Sequence, residues 1–186
     1  MYRNVLLVAA LALATACAGE PAVTEFAAAT PSSAAAVAED GLAAVKSSTA
    51  HFQRFEVARA AGYDFLFMNM CMADASDANR GAMGYHYVNT TLLDDKVDVN
   101  APEALLYEPG PNGRLRLVAV EYVIPADAWT STQPPELLGQ RFTLNAFNLW
   151  ALHAWVWKDN PSGTFADWNP NVSCPDAAPA ASGGGK

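Results

Sequence analysis

The chain predicts an α+β fold, an antiparallel sheet preceded by one amphipathic helix. Three observations point there. A single stretch carries apolar residues at helical spacing, and everything after Gly62 breaks into short apolar runs between turn signals. The connection Glu108-Pro109-Gly110-Pro111-Asn112-Gly113 is a concentrated turn signal, so the runs it joins should form a hairpin.

The order of elements begins with a targeting segment. Arg3 precedes the apolar run Val5 to Leu13, and Ala14-Thr15-Ala16 then leads to Cys17. This pattern reads as a secretory signal over residues 1–16 that ends at a lipoprotein cysteine. Its apolar core is shorter than the about 20 residues that a membrane-spanning helix needs. Ordinary secretion with cleavage near Ala16 is the alternative. In the lipoprotein reading Cys17 carries lipid, and the protein is held to the cell envelope facing the periplasm or the exterior. Residues 17–38, rich in Ala, Pro, Thr and Ser, read as a flexible tether. Residues 39–176 should form a single α+β domain, and residues 177–186 a disordered tail.

Within the domain, Leu42, Val45, Thr49, Phe52 and Phe55 recur three and four apart, and Gly62 is placed to end that helix as a left-handed cap. Strands are expected over Tyr63–Cys71, Met83–Val88, Ala104–Tyr107, Leu115–Ile124, Phe142–Leu144 and Leu152–Lys158. Asn145–Ala151 reads as helical.

Charge narrows the partners. The formal net charge of −8 includes Arg3, the one charged residue ahead of Cys17, so cleavage would leave −9. An acidic surface with no Lys/Arg cluster repels phosphate backbones and excludes nucleic acid as a partner. No basic amphipathic helix is present to hold an anionic bilayer, so membrane attachment rests on lipid at Cys17. With Cys17 lipidated, Cys71 and Cys174 remain as a pair for a disulfide in an oxidising compartment. Free thiols or a thiolate metal site are the competing readings.

The chemistry centres on a carboxylate. Glu121 lies in Leu115-Arg116-Leu117-Val118-Ala119-Val120-Glu121-Tyr122-Val123-Ile124, a run apolar on both faces. An unpaired carboxylate there costs several kcal/mol, so it needs an ion-pair partner, a hydrogen bond or a metal. Arg54, Arg59, Arg141 or a tyrosine hydroxyl would satisfy it structurally. Two of the chain's 3 histidines, His86 and His153, also fall in the middle of predicted strands, while His51 lies in the helix as a boundary residue. Strand alternation turns Tyr85 and Tyr87 away from the His86 face and puts His153 on one face with Trp155 and Trp157. Two imidazoles and one carboxylate suit Zn, Cu or non-haem Fe with positions left open. They equally suit metal-free acid–base work in which Glu121 fixes a histidine tautomer.

Other clusters point to blander roles. Met68, Met70 and Met72 alternate on one strand face, which suits core packing better than Cu(I). The acidic stretch from Leu93 to Glu103 reads as a solvated turn. Trp150, Trp155, Trp157, Phe165 and Trp168 could stack a flat ligand if exposed, or pack the core if buried. No nucleophile elbow, phosphate loop or dinucleotide fingerprint occurs.

Five segments carry a resemblance: Gly-Ala-Met-Gly-Tyr-His-Tyr-Val-Asn (81–89), Pro-Glu-Ala-Leu-Leu-Tyr-Glu-Pro (102–109), Leu-Arg-Leu-Val-Ala-Val-Glu-Tyr (115–122), Pro-Pro-Glu-Leu-Leu-Gly-Gln (134–140) and the stretch from His153 to Cys174. Together they resemble a family of uncharacterised exported bacterial proteins. That resemblance implies export and assigns no activity. The sequence thus leads to a lipid-anchored envelope protein with a His86/Glu121/His153 pocket for a transition metal or small ligand. A metal-dependent enzyme on a small substrate and a purely structural envelope protein are the alternatives.

Overall fold

In the computed structural model, residues 33–110 and 113–175 are described. The signal segment, Cys17, most of the tether and the tail lie outside the described residues. The described part is α+β, as the sequence predicts. Helix α1 (Ser33–Thr49) leads, followed by a 3₁₀ turn (Ala50–Gln53) and the short helix α2 (Phe55–Ala60). The strands are β1 (Phe65–Ala73), β2 (Ala82–Val88), β3 (Ala104–Pro109), β4 (Leu115–Pro125), β5 (Glu136–Leu137), β6 (Gln140–Arg141), β7 (Thr143–Leu144) and β8 (Leu149–Ala154). Six of them form one antiparallel sheet in the order β1-β2-β3-β4-β8-β7, and β5 and β6 make a separate small hairpin.

The one predicted helix is divided. Ser48 and Thr49 both bond the Val45 carbonyl, at 3.1 and 2.7 Å, which competes with the backbone ladder at the end of α1. Arg54 then adopts an extended conformation, φ −92° and ψ 104°. The Phe52 carbonyl is instead claimed by the Tyr107 hydroxyl at 2.7 Å. The predicted terminator holds: Gly62 has φ 99° and follows Ala61, the C-cap of α2. α1 also starts at Ser33, upstream of the boundary expected at residue 39, because Ser33 to Ala38 is alanine-rich and alanine has the highest helix propensity.

Three further expectations change. Asn145–Ala151 is not helical: its first four residues turn β7 into β8, and Leu149 to Ala151 already belong to β8. The Asn145 side chain accepts from the N–H groups of Phe147 and Leu149, and Asn148 sits at φ 59°, a left-handed position that asparagine tolerates. The last strand covers Leu149–Ala154 rather than Leu152–Lys158, because Trp157 leaves the sheet to donate its indole N–H to Thr49 Oγ1 at 3.1 Å. The methionines do not alternate on one buried face. Register slips in β1 between Leu66 and Cys71, and Met68 and Met70 stand 54% and 51% exposed.

The two faces of the sheet have different roles. One packs Leu105, Tyr107, Val120, Tyr122, Ile124 and Leu152 against Val45, Phe52 and Ala58 of the helical layer. Burying each of these larger side chains contributes about 1.5–3 kcal/mol. The other face holds Ala104, Leu106, Val118 and Ala119 with Trp155 and Val172, next to a cavity. Cys71 of β1 bonds Cys174, with Cα atoms 5.7 Å apart, and so ties the C-terminal segment to the sheet edge.

Candidate metal centre

The register of three strands builds the site. In β4, Val120, Tyr122 and Ile124 belong to the helix-facing core, so Glu121 and Val123 point to the opposite face. Glu121 pairs directly with His153 of β8, which puts their side chains side by side. His86 lies two strands away on β2, opposite Leu106 of β3. Between them, Ala104 faces Glu121 across one ladder and Val88 across the other. Ala104 is completely buried and carries only a methyl group, so His86 and Glu121 can meet across β3.

All three sequence-predicted residues converge. One ligand atom from each of His86, Glu121 and His153 lies within 4.8 Å of the others. His86 Nε2 is 3.7 Å from Glu121 Oε2, and His153 Nε2 is 3.6 Å from Glu121 Oε1. The His86 and His153 rings meet edge to face with centroids 5.9 Å apart. Both histidines are 3% exposed and Glu121 is 8% exposed. Arg141, a candidate structural partner, bonds Glu136 instead, and among the described residues Glu121 forms no ion pair with an arginine.

These contacts are too long to be hydrogen bonds. Among the described residues, His86 Nδ1 and both ring nitrogens of His153 are buried with no hydrogen-bond partner. Leaving such groups unpaired costs about 1–3 kcal/mol each. A tetrahedral zinc with bonds of about 2.0–2.1 Å holds its ligands roughly 3.3 Å apart. The separations of 3.6 and 3.7 Å run to the two different oxygens of Glu121, and with all three donor atoms within 4.8 Å of one another a contraction of at most about 1.5 Å brings the set to that spacing. The donor set, the burial and the unpartnered His153 Nε2 facing Glu121 all fit a metal ion.

A fourth residue completes the arrangement. Asp167 Oδ1 stands 3.6 Å from His153 Nδ1, on the ring edge away from Glu121. A carboxylate behind a ligating imidazole fixes its tautomer and raises its basicity. Asp167 was not singled out in the sequence: it lies in the turn-rich segment Phe165 to Pro170, and nothing in its spacing marks it. Trp155 stacks beside the His153 ring at 6.3 Å, while Trp157 packs against the opposite face of the sheet, so only the first shares the His153 side as predicted.

The electrostatics differ for the two rings. Burial pushes the His86 imidazole below its ordinary value against the pull of Glu121, and His153 adds to the fall. His86 is therefore neutral and free to ligate. Burial acts on His153 in the same direction, but Glu121 and Asp167 together overcome it and raise that imidazole. His153 in turn holds the Asp167 carboxyl below its usual range. Without a metal, the site is a histidine held between two carboxylates, an arrangement suited to proton transfer.

The centre forms the floor of a cavity of about 590 Å³. Its walls come from Phe65, Phe67, Met68 and Met72 of β1, Phe147 of the β7–β8 turn, and Trp168. The β1 irregularity lies directly over the site. Between the Leu66–Tyr87 and Cys71–Tyr85 pairs, the stretch from Phe67 to Met70 faces His86 alone. Met68 and Asn69 take φ of 54° and 52° to make this bulge, left-handed positions that asparagine tolerates and that are strained for methionine. The bulge turns Phe67 and Met68 into the cavity wall.

No family model matches the chain, and no curated protein or solved structure shows significant similarity to it.

Proposed function

We propose that this protein binds one divalent transition-metal ion, Zn²⁺, Cu²⁺ or Fe²⁺, through His86, Glu121 and His153, with its open coordination positions facing the cavity. The observation that carries this reading is the convergence of three buried donor groups, with the Nε2 atoms of both histidines turned to Glu121 and that of His153 without a hydrogen-bond partner among the described residues. Two imidazoles and a carboxylate leave at least one position free for water or a ligand. A soft thiolate site is excluded for Cys71 and Cys174, which are bonded to each other.

The N-terminal pattern supports a place of action. A basic start, a short apolar run and Cys17 favour export and lipid anchoring to the cell envelope, and the Cys71–Cys174 disulfide is consistent with an oxidising compartment.

Metal analysis of protein purified without an affinity tag tests the site. The expected result is close to one equivalent of a single metal, abolished in the double variant His86→Ala/His153→Ala. Less than about a tenth of an equivalent before and after loading, the same in the variant, overturns the reading. Cys17→Ser tests the anchor: it should release the protein from the membrane fraction and end incorporation of labelled fatty acid. Turnover on a substrate panel then separates a metal-dependent enzyme from a binder.

A further inference from the structure

The cavity above the centre is mostly apolar, with its ionisable groups gathered at one end and Thr143 and Asn145 as further polar residues on the β7 side. His86, Glu121 and His153 lie buried together at the floor, with the exposed Asp167 carboxylate beside His153, whereas Phe65, Phe67, Met68, Met72, Phe147 and Trp168 form apolar walls and rim. Phe65, Met68 and Phe147 remain 51%, 54% and 45% exposed, so the apolar surface continues to the mouth. Phe67 and Phe147 brace each other across that mouth, edge to face at 5.0 Å, linking the β1 bulge to the β7–β8 turn. A volume of about 590 Å³ falls within the range of about 300–1,000 Å³ typical of small-molecule sites.

The walls and the floor make different demands on an occupant. Aromatic rings and flexible thioethers suit a flat or branched apolar body and offer it few hydrogen bonds. The floor holds the buried Glu121 carboxylate, and Asp167 stands exposed beside His153; both repel an anion when the metal is absent. A bound divalent ion reverses that balance and offers a free position to an electron-pair donor.

We infer that the cavity takes a small apolar molecule bearing a single anionic donor head, such as a carboxylate or phenolate, with the body against the β1 bulge and the head on the metal. The head-group half of this inference rests on the proposed metal site. The apolar-body half does not, because the walls exist without the ion.

Two probes separate the halves. Naphthalene, a neutral body without a head, and 2-naphthoate, the same body with a carboxylate, are titrated into metal-free and zinc-loaded protein. Tryptophan fluorescence, with Trp168 in the wall, and calorimetry report binding. Naphthalene should bind both forms with affinities within about threefold. 2-Naphthoate should bind the metal-free form about tenfold or more weaker than naphthalene does, and gain about tenfold or more on zinc loading. Ala151→Phe, which fills the cavity from β8, and Phe147→Asp, which puts a charge at its half-exposed mouth, should each weaken naphthalene by about tenfold. Thermal unfolding shows that each variant is folded, and either one suffices.

Failure of naphthalene to bind either form overturns the apolar cavity, whether it collapses or a second copy of the chain covers it. Naphthalene binding with no zinc-dependent gain for 2-naphthoate, while zinc is taken up, overturns the head-group assignment alone. Absence of zinc uptake overturns the metal site and the head group together, while naphthalene still decides the fate of the walls.

Discussion

Glu103 makes the pH dependence of stability a direct test of the packing. β3 begins at Ala104, opposite Glu121, so the N–H of Val123 two residues further along β4 has passed the end of its partner strand. Glu103 Oε2 accepts that N–H at 2.9 Å and thereby extends the ladder with a side chain. The residue is 2% exposed, and burial pushes its carboxyl up from 4.5 to about 8, with the Val123 bond only partly opposing the rise. The native state therefore keeps a proton that the unfolded chain has released. Stability from this group is complete below about 4.5 and is lost as pH rises towards about 8, where the native carboxyl ionises as well. At about 1.4 kcal/mol per pH unit, the loss reaches roughly 3 kcal/mol by pH 7 and roughly 5 kcal/mol over the whole window. A domain stable by about 5–15 kcal/mol feels either figure strongly.

The perturbation is Glu103→Gln, which keeps a carbonyl acceptor for Val123 and removes the titration. Urea unfolding from pH 4.5 to 8.5 is the assay. The variant should match the wild type near pH 4.5 and exceed it by about 3 kcal/mol at pH 7. Taking the difference between the two proteins cancels the contributions of His86, His153 and Asp167, which titrate in both. A difference that stays constant across this range refutes the reasoning, because Glu103 would then be equally ionised in the folded and unfolded states.

Other consequences follow from the same geometry. Asp167→Asn should lower zinc affinity about 10- to 100-fold while leaving uptake at one equivalent, measured by competition with a chelating dye. Ala104→Leu fills the gap through which His86 and Glu121 meet, so zinc affinity should fall by at least the same factor; a variant that folds and binds zinc at the wild-type level would contradict that role for Ala104. Gly84, at φ 97°, has no room for a Cβ, which would stand 2.5 Å from the Tyr107 carbonyl oxygen, so Gly84→Ala should cost on the order of 2 kcal/mol or more and distort β2 ahead of His86. Cys71→Ser/Cys174→Ser opens a loop whose ends are 103 residues apart, and chain entropy assigns that closure about 4.7 kcal/mol. Chemical denaturation should show most of that loss, and a loss below about 1 kcal/mol would mean the C-terminal segment holds to β1 through packing alone.

The apolar run around Glu121 was enough to say that its carboxylate needs company, because burial of a lone charge is expensive wherever the strand lies. The central placement of His86 and His153 in apolar segments carried the same information for the imidazoles. Periodicity also showed the helix ahead of the sheet, its glycine terminator and the hairpin through Glu108 to Gly113. It missed the break at Arg54, because that break depends on a hydroxyl from Tyr107, about fifty residues along the chain. It missed the Asn145 turn because a side chain that caps its own loop leaves no periodic trace.

Residue order alone thus determined which side chains were worth watching and the class of fold that would carry them. Only the tertiary structure decided that His86, Glu121 and His153 share one floor, that Asp167 stands behind His153, and that a bulge in β1 walls the cavity above them. Local chemistry sets burial and periodicity along a strand, whereas strand order and register set which strands lie side by side. A single slip of register would turn His153 to the helical face and remove it from the site.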